Sequence, residues 1–241
     1  SAYKYMFILE DLQCNPAGLQ KDANKEYIIK RCFDATLKTS GRNITTEVLA
    51  NAQLVSAKFA QMYLCTDGLP IEKSPLFKGY ETMRGEWMNR DLRMQYTLMR
   101  PGDTFWDASE KNSRIDWSDS EAEIARAKYK NFTPNWGSGY FPQKWATERN
   151  LGADARNASY DWPVLRYAEV LLNYAEAVYE RDGKISDTDL NISLNLTRKR
   201  VNKTMPALSN AFVDANGLDM RTEIRRERTI ELFQEGFRID D

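Results

Sequence analysis

Apolar residues recur at helical spacing through the last third of the chain. Between Pro163 and Glu180, Val164, Ala168, Leu171, Ala175 and Val178 form one continuous stripe, which predicts an amphipathic helix over that stretch. Pro163 suits a first helical turn, where no N–H is needed, and Gly183 is the expected stop. Ser186 is placed to cap a second helix with Leu190, Leu194, Thr197 and Val201 on one face, closed by Pro206. Two helices joined by so short a link are expected to pack antiparallel. A third helix is expected from about Asp219 to Gln234, with Ile224, Ile230, Phe233 and Phe237 near its apolar side and Gly236 as its stop.

The earlier two thirds are less regular. Residues 1–25 read as irregular, and Glu26 to Phe33 carries the β-formers of a short strand. Thr45 and Thr46 are placed to cap a helix carrying Leu49, Leu54, Val55, Phe59 and Met62, which should stop by Thr66-Asp67-Gly68. Residues 70–145 show no clear period, are punctuated by Gly and Pro, and hold Trp87, Phe105, Trp106, Trp117, Trp136 and Tyr140. Two elements are expected inside this loop-rich region. One is a strand from Arg93 to Met99 ended by Pro101-Gly102. The other is a short helix opened by the capping box of Ser118 and Glu121, with Ile124, Ala125 and Tyr129 following. No clean 34-residue repeat appears.

Charge and composition narrow the function. Lys and Arg number 34 against 35 Asp and Glu, so the surplus of positive charge that a phosphate-binding surface needs is missing. Nucleic acid is therefore not an expected partner. The chain has no histidine, which excludes Ser-His-Asp and Cys-His catalysis and HExxH zinc chemistry within it. Cys14, Cys32 and Cys65 are odd in number and lack a CxxC pair, and read as small, mostly buried apolar residues. No acidic cluster has the spacing of a calcium loop, and no cofactor is called for. No stretch is long and apolar enough for a membrane helix, and Ser1 to Glu10 lacks the pattern of a signal peptide.

The text of the predicted helices then becomes recognisable. Trp162-Pro163-Val164-Leu165-Arg166-Tyr167-Ala168-Glu169-Val170-Leu171-Leu172-Asn173-Tyr174-Ala175-Glu176-Ala177 closely resembles the "RYAEVLLNYAEA" helix of the SusD/RagB family. Four further stretches resemble that family's motifs in its order. Met62 to Ile71 resembles its "DG-x-PI" turn, and Arg90-Asp91-Leu92-Arg93 its "RDPR" motif with Leu92 in place of Pro. Gly139-Tyr140 with Lys144 resembles its "GY…K" segment, and Glu227 to Leu232 with Glu235 to Arg238 its "ERRIEL…EG-x-R" helix. The resemblance spans roughly residues 45–241.

What it implies is a mostly α fold, SusD-like, with tetratricopeptide-like helix pairs supporting a loop-rich region with short strands. Residues 1–241 would be the C-terminal part of such a domain, with 70–145 the loop-rich aromatic region and 160–241 the helical scaffold. The family's lipid-bearing cysteine and N-terminal half would lie outside this sequence. The implied role is a lipid-anchored, surface-exposed outer-membrane protein that captures oligosaccharides and lids a SusC-like TonB-dependent transporter. It would not be an enzyme. A peptide-capturing RagB-like member and an intracellular helical-repeat adaptor are the alternatives. A glycoside hydrolase is disfavoured, because acid pairs such as Glu121 and Glu123 or Asp116 and Asp119 sit in one short segment, where they cap and solvate a helix.

Motif residues and binding residues are expected to be different sets. Arg166, Glu169, Glu227, Arg228 and Glu231 lie on helices with strong apolar stripes and should form charge pairs that lock those helices together. Glycan capture calls for flat aromatic faces with amides or carboxylates beside them, on loops held by a rigid frame. By residue type alone the ligand-binding candidates are Trp87 beside Asn89, Trp106 beside Asp107, Trp117 beside Asp116, and Trp136 beside Asn135. The bland alternative for each is a tryptophan plugging core beneath a loop. Tyr140, part of a motif, reads as structural.

Overall fold

The structure, a computed structural model, describes residues 2–42, 44, 48, 54–82, 84–100, 139–147 and 158–237. It is mostly helical. A one-turn helix α1 (Ala2–Tyr5) opens the chain and strand β1 (Tyr27–Arg31) follows. Next come α2 (Ala57–Met62) and α3 (Leu92–Thr97), then strand β2 (Trp162–Arg166). The remaining helices are α4 (Tyr167–Asp182), α5 (Asp187–Ile192), α6 (Leu194–Val201), α7 (Asn210–Ala215) and α8 (Met220–Glu231).

The expected strand near residue 30 forms, and its partner explains one correction. β1 pairs antiparallel with β2, with Lys30 opposite Pro163 and Arg31 opposite Trp162. The stretch read as the first turn of a long helix is therefore extended, and the helix starts at Tyr167. A distant partner supplies the ladder that local periodicity could not reveal, and Pro163 sits at the start of the two-stranded sheet, as proline in a strand tends to.

From Tyr167 onward the helical reading holds. α4 buries Ala168, Leu171, Leu172 and Ala175, and Gly183 ends it at φ 67° with its N–H on the Tyr179 carbonyl. Such a left-handed C-terminal position suits glycine, which has no Cβ to clash. The Ser186 hydroxyl accepts the Asp189 N–H at 3.0 Å and opens α5. The single expected second helix is split at the buried Ser193, whose φ of −131° and ψ of −105° separate α5 from α6. Asp219 caps α8 by accepting the Thr222 N–H at 2.8 Å. Leu172, Ala175, Ile185, Leu190, Leu194, Leu208, Val213 and Ile224 from these helices form one apolar core.

The first half differs more from expectation. The helix expected to run from Thr45 to Met62 is interrupted. Val55 is extended and exchanges backbone hydrogen bonds with Tyr140 at 2.8 and 2.9 Å. Ser56 then caps α2 through the Phe59 N–H. The strand expected from Arg93 to Met99 is instead helix α3, because Asp91 caps it by accepting the Arg93 N–H at 2.8 Å. The helix α7 was not foreseen. Cys14 and Cys65 are buried as expected, but Cys32 is exposed at the end of β1. The Ser118 helix lies outside the described residues.

Two further cores complete the packing. Phe7, Ile8, Trp145, Tyr160 and Val201 gather around the N-terminal turn, with the rings of Trp145 and Trp162 stacked at 4.4 Å. Val55, Ala60, Tyr63, Trp87, Met94, Leu98 and Ile230 form the third, between α2, α3 and α8. Among the described residues no helix is long and apolar enough to cross a membrane.

Candidate functional site

The side chains that carry the recognisable motifs meet in the interior. Arg93 is fully buried. Its guanidinium donates to Asp91 at 2.7 Å, to Glu227 at 2.5 Å and to Glu231 at 3.0 Å. Glu231 also receives Arg166 at 2.9 Å and Arg200, and Glu227 receives Arg198 at 3.4 Å. Arg166 reaches on to Glu26 at 2.9 Å and to Glu235 at 2.6 Å. Lys144 bonds Glu235 and donates to the Phe233 carbonyl at 2.6 Å. The neighbouring Arg90 donates to the carbonyls of Ala60 at 2.8 Å and Tyr63 at 2.9 Å, stapling the Asp67-Gly68 turn's helix to the same frame.

Charge state follows from this geometry. Burial by itself would raise the Glu231 carboxyl, but Arg200, Arg166 and Arg93 outweigh it and hold the group well below the usual carboxylate range. Burial likewise opposes Asp91, and Arg93 and Asn202 prevail, so that it too is lowered. Burial pushes the Lys144 ammonium down to about 8, against the pull of Glu235. The expected charge pairs form at Arg166, Glu227 and Glu231, but Arg166 ends β2 and so ties the strand, not a helix, to α8. Arg228 contributes at the surface side, donating to Asn173 at 2.6 Å and lying 3.7 Å from Glu176. Glu169 is raised by burial and lies in the field of Arg228. Paired and buried, Asp91, Arg93, Arg166, Glu227 and Glu231 form a frame rather than a ligand site.

Two of the seven binding candidates fall within the described residues, and the structure gives them different surroundings. Trp87 is 8% exposed and packs edge-on to Tyr140 at 5.9 Å in the third core. Asn89 is half-buried at φ 56°. Its side chain donates to the Leu76 carbonyl at 2.9 Å, and its own carbonyl accepts the Thr66 N–H at 2.8 Å. Both thus hold the loop's foot. Tyr140 is structural as read: its hydroxyl bonds Glu86, whose carboxyl burial raises. Trp106, Asp107, Trp117, Asn135 and Trp136 lie outside the described residues.

Residue type alone missed two features. A cleft of about 570 Å³ opens between α2 and the end of α8, with the stacked rings of Phe59 and Phe233, 4.3 Å apart, in its wall. Gln234 lines it at φ 57°, with a buried amide oxygen that has no hydrogen-bond partner. This volume lies in the range of small-molecule pockets. The second feature is Tyr80, 53% exposed on the loop between the Asp67-Gly68 turn and α3. The criterion that picked tryptophans would have found it had tyrosines been counted. Among the described residues no cluster of acids and cysteines is built to hold a metal.

The comparisons agree with the motif reading. The family model described as the SusD family matches residues 24–241. A SusD-like protein from Bacteroides fragilis superposes with a TM-score of 0.65 at 22% identity, covering 99% of this chain and 45% of its own. A SusD-like carbohydrate binding protein from the same organism superposes with a TM-score of 0.56 at 22% identity, covering 95% of this chain and 44% of its own. The chain thus spans less than half the length of these solved structures. At that identity the superpositions speak for the fold. No curated protein matches.

Proposed function

The chain belongs to the SusD family, and from that premise we propose that it is a cell-surface nutrient-binding protein that captures oligosaccharides for import through a SusC-like TonB-dependent outer-membrane transporter. It binds and carries out no chemistry. The full protein is held at the outer membrane by a lipid anchor. The observation that carries the reading is the family match over residues 24–241. One of the similar structures is of a SusD-like carbohydrate binding protein, which supports it.

The division of labour proposed for the chain follows its packing. Residues 160–241 supply the scaffold, since Arg166, Glu227 and Glu231 are buried there and paired. Residues 70–145 supply recognition, with Trp106, Trp117 and Trp136 as ring platforms and Asp107 and Asn135 as polar neighbours. A rigid frame under a variable loop region is the common arrangement for a binding protein.

The test is a glycan array with the purified chain, followed by calorimetry on the best glycans. Saturable binding to one glycan class supports the proposal. Binding to peptides alone moves the protein to the peptide-capturing branch of the family. Saturable binding to neither, by chain shown to be folded, overturns ligand capture by this part of the protein.

A further inference from the structure

The loop from Leu76 to Asn89 is tied at three levels. At its foot, the Asn89 side chain donates to the Leu76 carbonyl at 2.9 Å. In its middle it crosses itself: a Cβ on Gly85 would lie 2.7 Å from the Gly79 carbonyl oxygen and 2.9 Å from that of Lys78. Gly79 itself takes the left-handed φ of 70° that lets the chain turn there. Beneath, Arg90 is 2% exposed and fixes the loop to α2 through the Ala60 and Tyr63 carbonyls and to the Glu86 carbonyl at 2.8 Å. A loop so closed on its own backbone has few conformations to lose on binding.

This scaffold holds one aromatic ring out to solvent. Tyr80 is 53% exposed, although its surroundings brace it. Phe77 meets its ring edge-on at 5.3 Å and 73°, and the Arg90 guanidinium lies 5.4 Å above the Phe77 ring on the inner side. The Tyr80 hydroxyl accepts from the Gln61 amide nitrogen at 3.3 Å, across from α2. That bond orients the Gln61 side chain and leaves its amide oxygen free to accept. A braced ring open to solvent beside an uncommitted amide is the pairing that a sugar needs. The ring takes the C–H face and the amide takes a hydroxyl.

We infer that Tyr80 is the stacking face of a subsite for a neutral pyranose, with the Gln61 amide as its hydrogen-bonding neighbour. The inference deepens the glycan-binding reading and rests on it. A charged sugar is not called for, because neither Tyr80 nor Gln61 carries a charge.

The test is native affinity electrophoresis of the 241-residue chain in gels cast with soluble starch, xylan, galactan or mannan. The wild type is expected to be retarded in at least one of them. In that gel Tyr80→Ala raises Kd by about tenfold or more, the loss of one principal contact. Tyr80→Phe keeps the ring and stays within about threefold, the cost of one exposed hydrogen bond. Melting is expected to be unchanged, because the ring is exposed. If Tyr80→Ala unfolds, Gln61→Leu carries the test and should raise Kd by roughly threefold to tenfold. Normal retardation of folded Tyr80→Ala or, failing that, of Gln61→Leu overturns the subsite and leaves glycan capture standing. A wild type retarded in none of the gels overturns both.

Discussion

Replacing Glu231 by glutamine removes one negative charge from a point where three arginines converge, with almost no change of shape. Glu231 is fully buried and bonds Arg93 at 3.0 Å, Arg166 at 2.9 Å and Arg200. At the effective dielectric of a protein site, each such pair is worth about 4 kcal/mol before desolvation. Much of that offsets the cost of burying the charges. The net loss on breaking a buried pair is about 3–5 kcal/mol. For a chain of this size each kcal/mol lowers Tm by about 2–4 °C, so Glu231→Gln should melt roughly 10 °C below wild type at pH 7. Scanning calorimetry reads this directly. The sign with pH is also fixed. The folded carboxyl is held below its unfolded value, so its contribution is complete above the unfolded carboxylate pKa of about 4.3 and fades as pH falls below it. The gap between the two proteins should therefore be constant above about pH 5 and narrow in more acid solution. A drop under about 3 °C at pH 7, roughly one kcal/mol, would refute the view that this network holds the helices together.

Three other outcomes are expected. Lys144 is pushed down to about 8 by burial, below its unfolded value, so it should add stability as pH rises from about 8 to 10; the slope of Tm against pH over that window should flatten in Lys144→Met. Trp87→Ala should lower stability by about 3–5 kcal/mol in urea titration, since the ring is core. Gly85→Ala should cost about 1–3 kcal/mol by urea titration, because its Cβ would fall 2.7 Å from the Gly79 carbonyl oxygen. It should also weaken glycan retardation by disturbing the Tyr80 support.

Legibility in the sequence followed the range of the interactions involved. Gly183, Ser186 and Asp219 mark helix ends through bonds to residues a few positions away, and all three were read correctly. The start of α4 was misplaced because Trp162 to Arg166 is held extended by β1, more than a hundred residues earlier. The segment from Arg93 to Met99 reads as a strand ended by Pro101-Gly102, but a cap at Asp91 and the burial of Arg93 accompany helix α3 instead. The interruption at Val55 is likewise set by Tyr140 across the fold. For the candidate site, residue type selected tryptophans. It could not tell that Trp87 is buried and Tyr80 exposed, because that depends on packing against distant residues such as Tyr140.

The sheet and α4 keep several large apolar side chains exposed. Ile28, Ile29, Val164, Tyr167, Val170 and Tyr174 are each at least 40% exposed, although Ala168, Leu171 and Ala175 of the same helix are buried. A helix greasy on two sides is the mark of a middle layer. The chain should therefore be sticky: prone to binding hydrophobic dyes and to clumping as its concentration rises, in a way that polar substitutions at Val164 and Val170 would relieve without loosening the interior.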